Sequence, residues 1–280
     1  MPKVTAAANT FLKKKILGAT DLSDAERIPI PKGHSFYVTE YAPARNQHLY
    51  LVLAHPLTAR DGKTKLQKVY AYDPHIKIEG EDLLKPIKLP VPYCSQLNND
   101  PAIFGGGWRQ CNTTSNTMLA DYLLKGELTK QAQAQGYPEP ESLYMRIVAK
   151  YGDTIDHGAQ TEALRDLGIE SYFSYSLSPK DVLQSLGLGI PVVVGFAYKG
   201  SGHICLIVGH NPMRKIWLVH DPYGSRHGAS DSYDIGLGGA YDLYSYDVMQ
   251  QIFWDQGGES GWGRIVTSVQ GKPTGLPAGL

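Results

Sequence analysis

One cysteine of the chain has neighbours that could make it a nucleophile. Cys111 lies at the start of a predicted helix, directly after the segment Gly105-Gly106-Gly107-Trp108-Arg109-Gln110. The dipole of a helix favours an anion at its N-terminus, and the thiolate is the reactive form of cysteine. Backbone N–H groups at the same helix end can also bind an oxyanion. Cys111 is therefore the candidate nucleophile of an acyl-transfer reaction.

Three further side chains have types and positions that suit the same reaction. His203 follows a glycine turn at the start of an apolar run, where it could act as the general base or as the imidazolium partner of Cys111. Asp221 ends the next predicted strand and could orient the second nitrogen of His203. Gln96 precedes the cysteine, and its amide could donate a second hydrogen bond to an oxyanion.

The elements that position these residues follow from the sequence pattern. An apolar stripe predicts a helix over Asn112–Leu124, which places Cys111 at its N-terminus. Strands are predicted over His203–His210 and Lys215–His220, with the turn Lys199–Gly202 before the first of them. Neighbouring strands would bring His203 and Asp221 together at one edge of a sheet.

Around this core we expect several segments with different roles. Residues 1–20 are predicted as an N-terminal arm or short amphipathic helix, because apolar residues recur about one helical turn apart. Short strands between turn residues predict a small β domain over residues 21–84, and the charged, Pro-terminated stretch from Ile76 to Ile87 suits a linker. Helices followed by antiparallel strands predict an α+β domain over residues 85–270, and residues 271–280 form a tail.

Composition limits the class of protein. The chain has 280 residues, of which 42% are hydrophobic and 19% charged, and 27 Lys and Arg balance 27 Asp and Glu. This length accommodates two modest domains. The charge balance argues against a general nucleic-acid binder, and no apolar run reaches the ~18 residues of a membrane-spanning helix. No signal-peptide pattern begins the sequence, so we expect synthesis in the cytoplasm and no stable membrane insertion.

Other candidate residues carry a structural interpretation. Cys94 and Cys205 are expected to be buried thiols, although one disulfide that involves Cys94 stays open. His220 is expected to be structural, because it faces away from its neighbour Asp221. The segment with Trp254 and Trp262 is predicted as a closing strand and turn, with the border of a substrate groove as the alternative.

A calcium site is weighed against a solvated loop in one acidic segment. Asp231, Asp234 and Asp242 lie among glycines and offer oxygen ligands, but their spacing fits no EF-hand. The solvated loop is favoured. No metal and no cofactor is expected.

Four motifs in this order resemble the C39-like cysteine peptidases of the papain-like clan. The motifs are Pro90-Val91-Pro92-Tyr93-Cys94-Ser95-Gln96, Cys111-Asn112-Thr113-Thr114-Ser115, the strand from Gly202 to His210, and Val219-His220-Asp221-Pro222-Tyr223-Gly224. The resemblance covers roughly Leu89 to Ile252 and implies a papain-like fold with helices packed on an antiparallel sheet. Asn112-Thr113 departs from the Gly-Pro that usually follows the nucleophile in this family.

The resemblance also implies roles for single residues. Cys111 matches the nucleophile, His203 the base and Asp221 the partner that orients it, while Gln96 matches the oxyanion residue. Without this family order, a buried structural thiol would be the default interpretation of Cys111. The residues Trp108 and Gly202, which flank the nucleophile and the base, are expected to bind substrate.

The N-terminal region resembles the bacterial SH3-like modules that are appended to cell-wall hydrolases. The resemblance rests on the stretch Phe11–Lys15, the segment Leu22–Arg27 and the turn Pro31-Lys32-Gly33. Together the two parts imply an endolysin-like peptidoglycan hydrolase from a phage or bacterium, which acts on peptide linkages at the bacterial cell wall. Two alternatives stay open. The chain could be a protease of a protein substrate, such as a leader peptide or a virion component, or a non-catalytic wall-binding or virion structural protein.

Overall fold

The chain forms two compact units that divide between residues 85 and 86, each with its own hydrophobic core. The computed structural model describes residues 2–44, 48–79 and 86–277. Within these ranges no helix is both long enough and apolar enough to cross a bilayer.

The first unit is an antiparallel sheet. Its described strands are β1 (Lys3–Ala6), β2 (Thr10–Lys13), β3 (Arg27–Ile30), β4 (Ser35–Ala44), β5 (His48–Thr58), β6 (Lys65–Tyr72) and β7 (Ile76–Glu79). They follow one another across the sheet in the order β3-β2-β6-β5-β4-β1-β7. The pairing does not by itself assign an SH3-like barrel, and that class stays a prediction.

Two segments of the first unit differ from the sequence prediction. The helix considered for residues 1–20 is wrong, because β1 and β2 occupy this segment. Val4, Ala6 and Leu12 are buried in the core of the unit, so strand alternation sets their orientation. The expected linker begins instead as β7, in which Ile76 and Ile78 are buried. Residues 80–85 of that linker lie outside the described residues.

The second unit packs helices against a second antiparallel sheet, which confirms the α+β class. Its described helices are α1 (Cys111–Leu123), α2 (Glu127–Ala134), α3 (Pro140–Val148), α4 (His157–Asp166), α5 (Pro179–Gly187) and α6 (Tyr246–Ile252). Its described strands are β8 (Ile87–Lys88), β9 (Ile169–Leu177), β10 (Val192–Phe196), β11 (His203–Asn211), β12 (Ile216–His220), β13 (Ser225–Arg226), β14 (Tyr233–Asp234), β15 (Asp242–Ser245), β16 (Gly261–Val269) and β17 (Lys272–Pro273).

Strand β11 lies near the middle of this sheet. The order is β15-β12-β11-β10-β16-β17, with β8 added beside β11 and β9 beside β16, while β13 and β14 form a separate hairpin. Because β17 pairs with β16, the sheet extends into residues 271–280, which the sequence analysis treats as a tail. The residues of β11 from His203 to His210 are all buried.

Helix α1 is held against the start of β11. Ser115, in the first turns of α1, donates a hydrogen bond from Oγ to the carbonyl oxygen of Ile204 at 3.1 Å. This bond and the apolar packing of Met118 and Leu119 fix the N-terminus of α1 beside the first residues of β11. The fold thereby brings a helix end and a strand end to one place.

The separate cores predict separate unfolding of the two units. Leu51 and Leu206, both 0% exposed, lie in the first and second core respectively. All four tryptophans, at positions 108, 217, 254 and 262, belong to the second unit. We expect Leu51→Ala to destabilise the first unit by about 2–5 kcal/mol and to leave the urea midpoint seen by tryptophan fluorescence unchanged. Circular dichroism reports both transitions.

Two variants control this measurement. Leu206→Ala should move the fluorescence transition, and Leu17→Ala, at a side chain that is 49% exposed, should move neither. If Leu51→Ala shifted the fluorescence and dichroism midpoints together, the two units would unfold as one.

Candidate active site

Cys111 is the first residue of α1 and is partly buried, so the predicted position at a helix N-terminus is confirmed. A short 3₁₀ turn, Gly107–Arg109, precedes it. At Gly107 a Cβ atom would lie 1.9 Å from the backbone oxygen of Gln96, so only glycine fits there. The glycine run therefore lets the Gln96 segment approach the start of α1.

The first turns of α1 are polar and buried, which is unusual for a core helix. Asn112 donates from Nδ2 to the carbonyl oxygen of Thr154 at 3.0 Å, and the Thr113 and Thr154 hydroxyls are 2.7 Å apart. Asn99 donates to Thr114 Oγ1 at 2.8 Å. Because these groups hydrogen bond each other, the polar helix end can be buried, and Cys111 is held in one position.

His203 lies between Cys111 and Asp221. Its Nε2 is 2.7 Å from Asp221 Oδ1, and its ring also hydrogen bonds the Cys111 thiol. Since Nε2 bonds Asp221, Nδ1 is the ring nitrogen left for Cys111. The backbone N–H of Ile204 donates to the sulfur of Cys111 as well. The structure thus brings the predicted cysteine, histidine and aspartate into one hydrogen-bonded chain.

The carboxylate of Asp221 is fully buried and hydrogen-bonded at both oxygens. Tyr244 donates from its hydroxyl to Oδ2 at 2.7 Å, and the backbone N–H of Tyr223 donates to Oδ1 at 2.9 Å. The backbone of Asp221 is fixed too, because its carbonyl oxygen accepts a bond from the Tyr93 hydroxyl at 2.9 Å. Asp221 therefore has one orientation, towards His203.

Opposing effects set the proton affinities of the three groups. Burial alone would raise the pKa of Cys111, but the hydrogen bond and positive charge of His203 outweigh it, and the pKa of the thiol is lowered. Burial would lower the pKa of His203, but the negative charge of Asp221 raises it well above its usual value. Burial would raise the pKa of Asp221, yet His203 and Tyr244 hold it below its usual value. A thiolate–imidazolium pair is favoured.

Gln96 lies beside this group and is almost fully buried. Its Nε2 donates to the carbonyl oxygen of Gly107 at 2.8 Å, and its backbone N–H donates to the carbonyl oxygen of Pro222 at 2.9 Å. The side-chain amide has two N–H donors, and the bond to Gly107 uses one of them. Gln96 is thus anchored between the loop before Cys111 and the turn after Asp221, as an oxyanion donor must be.

The remaining two cysteines have different surroundings. All three cysteines are free thiols, so the disulfide left open for Cys94 is absent. Burial raises the pKa of both Cys94 and Cys205. Cys205 shares the strand face of His203, and the ligand atoms of these two residues and Asp221 lie within 4.8 Å of one another. His203 Nε2 and Asp221 Oδ1 are 2.7 Å apart, whereas two ligand atoms of a tetrahedral zinc ion are ~3.3 Å apart. Their spacing therefore fits a hydrogen bond between the two residues.

Aromatic side chains surround the three residues. Trp108 is 74% exposed just before Cys111. Trp262 lies over Gly202, where a Cβ atom would come within 3.0 Å of the indole ring. Trp262 also contacts Phe173 edge to face, and Phe173 contacts the exposed Tyr175 in the same way. Aromatic rings therefore lie over the glycine that precedes His203 and in the segment that precedes Cys111.

The family assignment follows from the sequence around these residues. A profile of the Peptidase_C39 like family matches residues 88–251, more than half of the chain, and this range contains Gln96, Cys111, His203 and Asp221. The chain belongs to the Peptidase_C39 like family. No curated protein matches the chain.

A solved structure with similarity to this C39-like chain is the crystal structure of a double glycine motif protease from an AMS/PCAT transporter in complex with the leader peptide. The two share 13% sequence identity with a TM-score of 0.37, and the match covers 65% of this chain and 97% of that chain.

The surroundings of the other sequence candidates of the C39-like unit differ from one another. His220 is buried, with Nε2 2.9 Å from the carbonyl oxygen of Val91 and Nδ1 accepting from the backbone N–H of Tyr241. Asp231, Asp234 and Asp242 each accept backbone hydrogen bonds, and they form no cluster of metal ligands among the residues described. Trp254 is buried, whereas Trp262 borders the candidate site.

Sequence reasoning missed two groups of residues at this site. Tyr244 contacts the Asp221 carboxylate, yet it lies on β15 in no recognisable motif. Phe173 and His157 stack on each other with ring centroids 3.6 Å apart, and both lie near Trp262. Their strands and helices are far apart in the chain, so only the fold brings them together.

The shifted pKa values predict selective alkylation of Cys111. At pH 7 we expect iodoacetamide to modify Cys111 at least about tenfold faster than Cys94 or Cys205, because only Cys111 has a lowered pKa. Its reaction should persist below pH 7 and decline as the pH falls through the lowered pKa. Peptide mapping by mass spectrometry measures each site. Equal, slow labelling of all three cysteines would contradict a thiolate at Cys111.

A buried carboxyl group lies behind the Gln96 segment. Glu141, near the start of α3, is 2% exposed, and Cys94 donates a hydrogen bond to it. Burial raises the pKa of Glu141 from 4.5 to about 7. The folded protein therefore favours the protonated form of Glu141. Protonation of Glu141 contributes fully to the free energy of unfolding below pH 4.5, and this contribution is lost as the pH rises through about 7.

Glu141→Gln should remove this pH dependence. Relative to the wild type, we expect no gain in the free energy of unfolding at pH 4.5 and a gain of up to about 3 kcal/mol at pH 8. Urea unfolding at the two pH values measures the difference. Glu259→Gln, at an exposed side chain in a turn, is the matched control and should show no such change. A gain from Glu141→Gln that is equal at both pH values would contradict the assignment.

Proposed function

We propose that this chain is a cysteine peptidase in which Cys111 attacks the carbonyl carbon of a peptide or amide bond. The observation that supports this most is the hydrogen-bonded chain from Cys111 through His203 to the buried Asp221. The lowered pKa of Cys111 and its place at the N-terminus of α1 suit a nucleophile.

In the proposed reaction, the thiolate of Cys111 forms a C–S bond and the carbonyl oxygen becomes an oxyanion. The backbone N–H of Cys111 and the second amide N–H of Gln96 donate hydrogen bonds to this oxyanion. The imidazolium of His203 then gives its Nδ1 proton to the leaving nitrogen, and the C–N bond breaks. Neutral His203 next takes a proton from water, whose oxygen attacks the thioester and restores the thiolate. Asp221 keeps the proton on Nε2 throughout.

The surroundings of Cys111 support a substrate with apolar groups. Trp108 and Tyr175 are 74% and 69% exposed, and Trp262 covers the glycine before His203. An extended peptide could place apolar side chains against these rings while its backbone passes the Gly105–Gly107 loop. Trp108 and Gly202 keep their proposed roles in substrate binding.

Two substrate classes are proposed, and a different feature of the chain supports each of them. A peptide linkage of bacterial peptidoglycan follows from the SH3-like resemblance of the first unit, which would then bind the wall. A protein substrate, such as a leader peptide or a virion component, is favoured by the apolar rings beside Cys111. The Gln96, Cys111, His203 and Asp221 chemistry is the same for both.

Cys111→Ser should lower hydrolysis by a factor of about 10³ or more and leave the fold intact, because the two side chains are nearly the same size. Gln96→Ala should lower kcat by a factor of about 10²–10³. The assay feeds purified sacculi and a peptide library to the same enzyme and counts new amino termini by mass spectrometry. Gln131→Ala, on α2 away from Cys111, is the control.

Each outcome separates the hypotheses. New amino termini from sacculi alone support the wall hydrolase, and new amino termini from the library alone support the protein protease. Hydrolysis by Cys111→Ser at the wild-type rate would overturn the mechanism. No hydrolysis, together with slow labelling of Cys111, would favour the non-catalytic alternative.

A further inference from the structure

Tyr244 makes a buried hydrogen bond to the group that orients His203. It lies on β15, opposite Trp217 of β12, and is 2% exposed. Its ring packs on Phe196 with centroids 5.4 Å apart, and its hydroxyl donates to Asp221 Oδ2 at 2.7 Å. The rigid packing of the ring aims the hydroxyl at one oxygen atom.

We propose that Tyr244 is a positioning residue, whose hydroxyl holds the Asp221 carboxylate ionised and aimed at His203 and so keeps the Cys111–His203 pair charged. The inference rests on the proposed function, because it takes Asp221 and His203 as the partners of Cys111. Tyr244 itself touches no reacting atom and acts through Asp221.

The two oxygens of Asp221 are not equivalent. Oδ1 accepts from His203 Nε2 and from the backbone N–H of Tyr223, whereas the hydroxyl bond to Oδ2 comes from Tyr244. Cys205 is close by, but a thiol is a weak donor. Without the Tyr244 hydroxyl, a buried carboxylate oxygen would lose its strong donor, and such an atom is costly to leave unpaired.

Other titratable and charged groups face this carboxylate from the packed elements. They are His203 and Cys205 on β11, Cys111 on α1, Tyr93 in the loop before it, Tyr233 on β14 and Asp242 on β15, while Arg226 on β13 lies over the Tyr233 ring. The tyrosines and Cys205 are neutral at pH 7, because burial raises the pKa of each. The charge at the site is therefore set mainly by the thiolate, the imidazolium and the carboxylate.

The sign of the effect follows from this charge. The thiolate, imidazolium and carboxylate together carry one net negative charge, which a neutral hydroxyl donor stabilises. Removing that donor raises the proton affinity of the whole group. The acid side of the Cys111 pH profile should then move to higher pH.

Tyr244→Phe tests the inference, since it removes the hydroxyl and keeps the ring. The probe is iodoacetamide, and the second-order rate of Cys111 alkylation is measured from pH 4 to 9 on the full chain, so that no substrate is needed. We expect the acid side of the rate profile to shift to higher pH by about one unit. Tyr246→Phe is the matched control: it removes a tyrosine hydroxyl that hydrogen bonds a histidine, His210, at the far end of β11.

The outcomes distinguish this inference from the proposed function. A Tyr244→Phe profile that superimposes on those of the wild type and Tyr246→Phe overturns the inference and leaves Cys111 as the nucleophile. A rapid labelling signal that persists in Cys111→Ser overturns the proposed function itself. A shift confined to Tyr244→Phe, with unchanged far-ultraviolet dichroism, supports the positioning role.

A second readout covers the case in which Tyr244→Phe does not fold. In the wild-type chain, the Tyr244 hydroxyl proton and the His203 Nε2 proton should give slowly exchanging proton resonances. Both should shift when iodoacetamide blocks Cys111, because the charge of the pair is lost. A Tyr244 hydroxyl proton that does not respond to this change would overturn the inference.

Discussion

The carboxylate of Asp221 is fully buried, and three different segments of the second unit supply its hydrogen-bond partners. A buried carboxylate is tolerated when hydrogen bonds and an opposite charge replace its hydration. Here β11 supplies His203, β15 supplies Tyr244, and the turn after β12 supplies the N–H of Tyr223. Strand β12 lies between β15 and β11 in the sheet, so the strand pairing brings these hydrogen-bond partners to the Asp221 carboxylate.

A second constraint acts on the helix that carries Cys111. Its first turns are polar and buried, which requires partners for Asn112, Thr113 and Thr114 from the segments before and after it. Those partners, Thr154 and Asn99, tie the helix end to two loops. The apolar side chains Met118 and Leu119 of α1 pack in the core of the second unit. The polar contacts and this packing together therefore determine the position of Cys111.

The sequence predicted local features well and distant contacts poorly. The helix after Cys111 and the strand after His203 follow from short-range patterns, and the α+β class follows from their order. The helix alternative for residues 1–20 is wrong, since the spacing of Phe11, Leu12 and Ile16 fits a helix, while pairing with other strands makes the segment β. Tyr244 could not be found either, because a lone tyrosine in a strand acquires its role only through β15 lying beside β12.

Under the proposed function, the chemistry and the choice of substrate have different structural origins. The Cys111, His203 and Asp221 chain lies on the sheet and α1, and its geometry is fixed by buried contacts. Trp108 and Tyr175, in contrast, are exposed, so under the proposed function a substitution there is expected to change substrate binding with little effect on folding. In the proposed peptidase, the reaction depends on the buried hydrogen bonds and the choice of substrate depends on the exposed rings. A substitution at the rings is therefore expected to alter the substrate without altering the reaction.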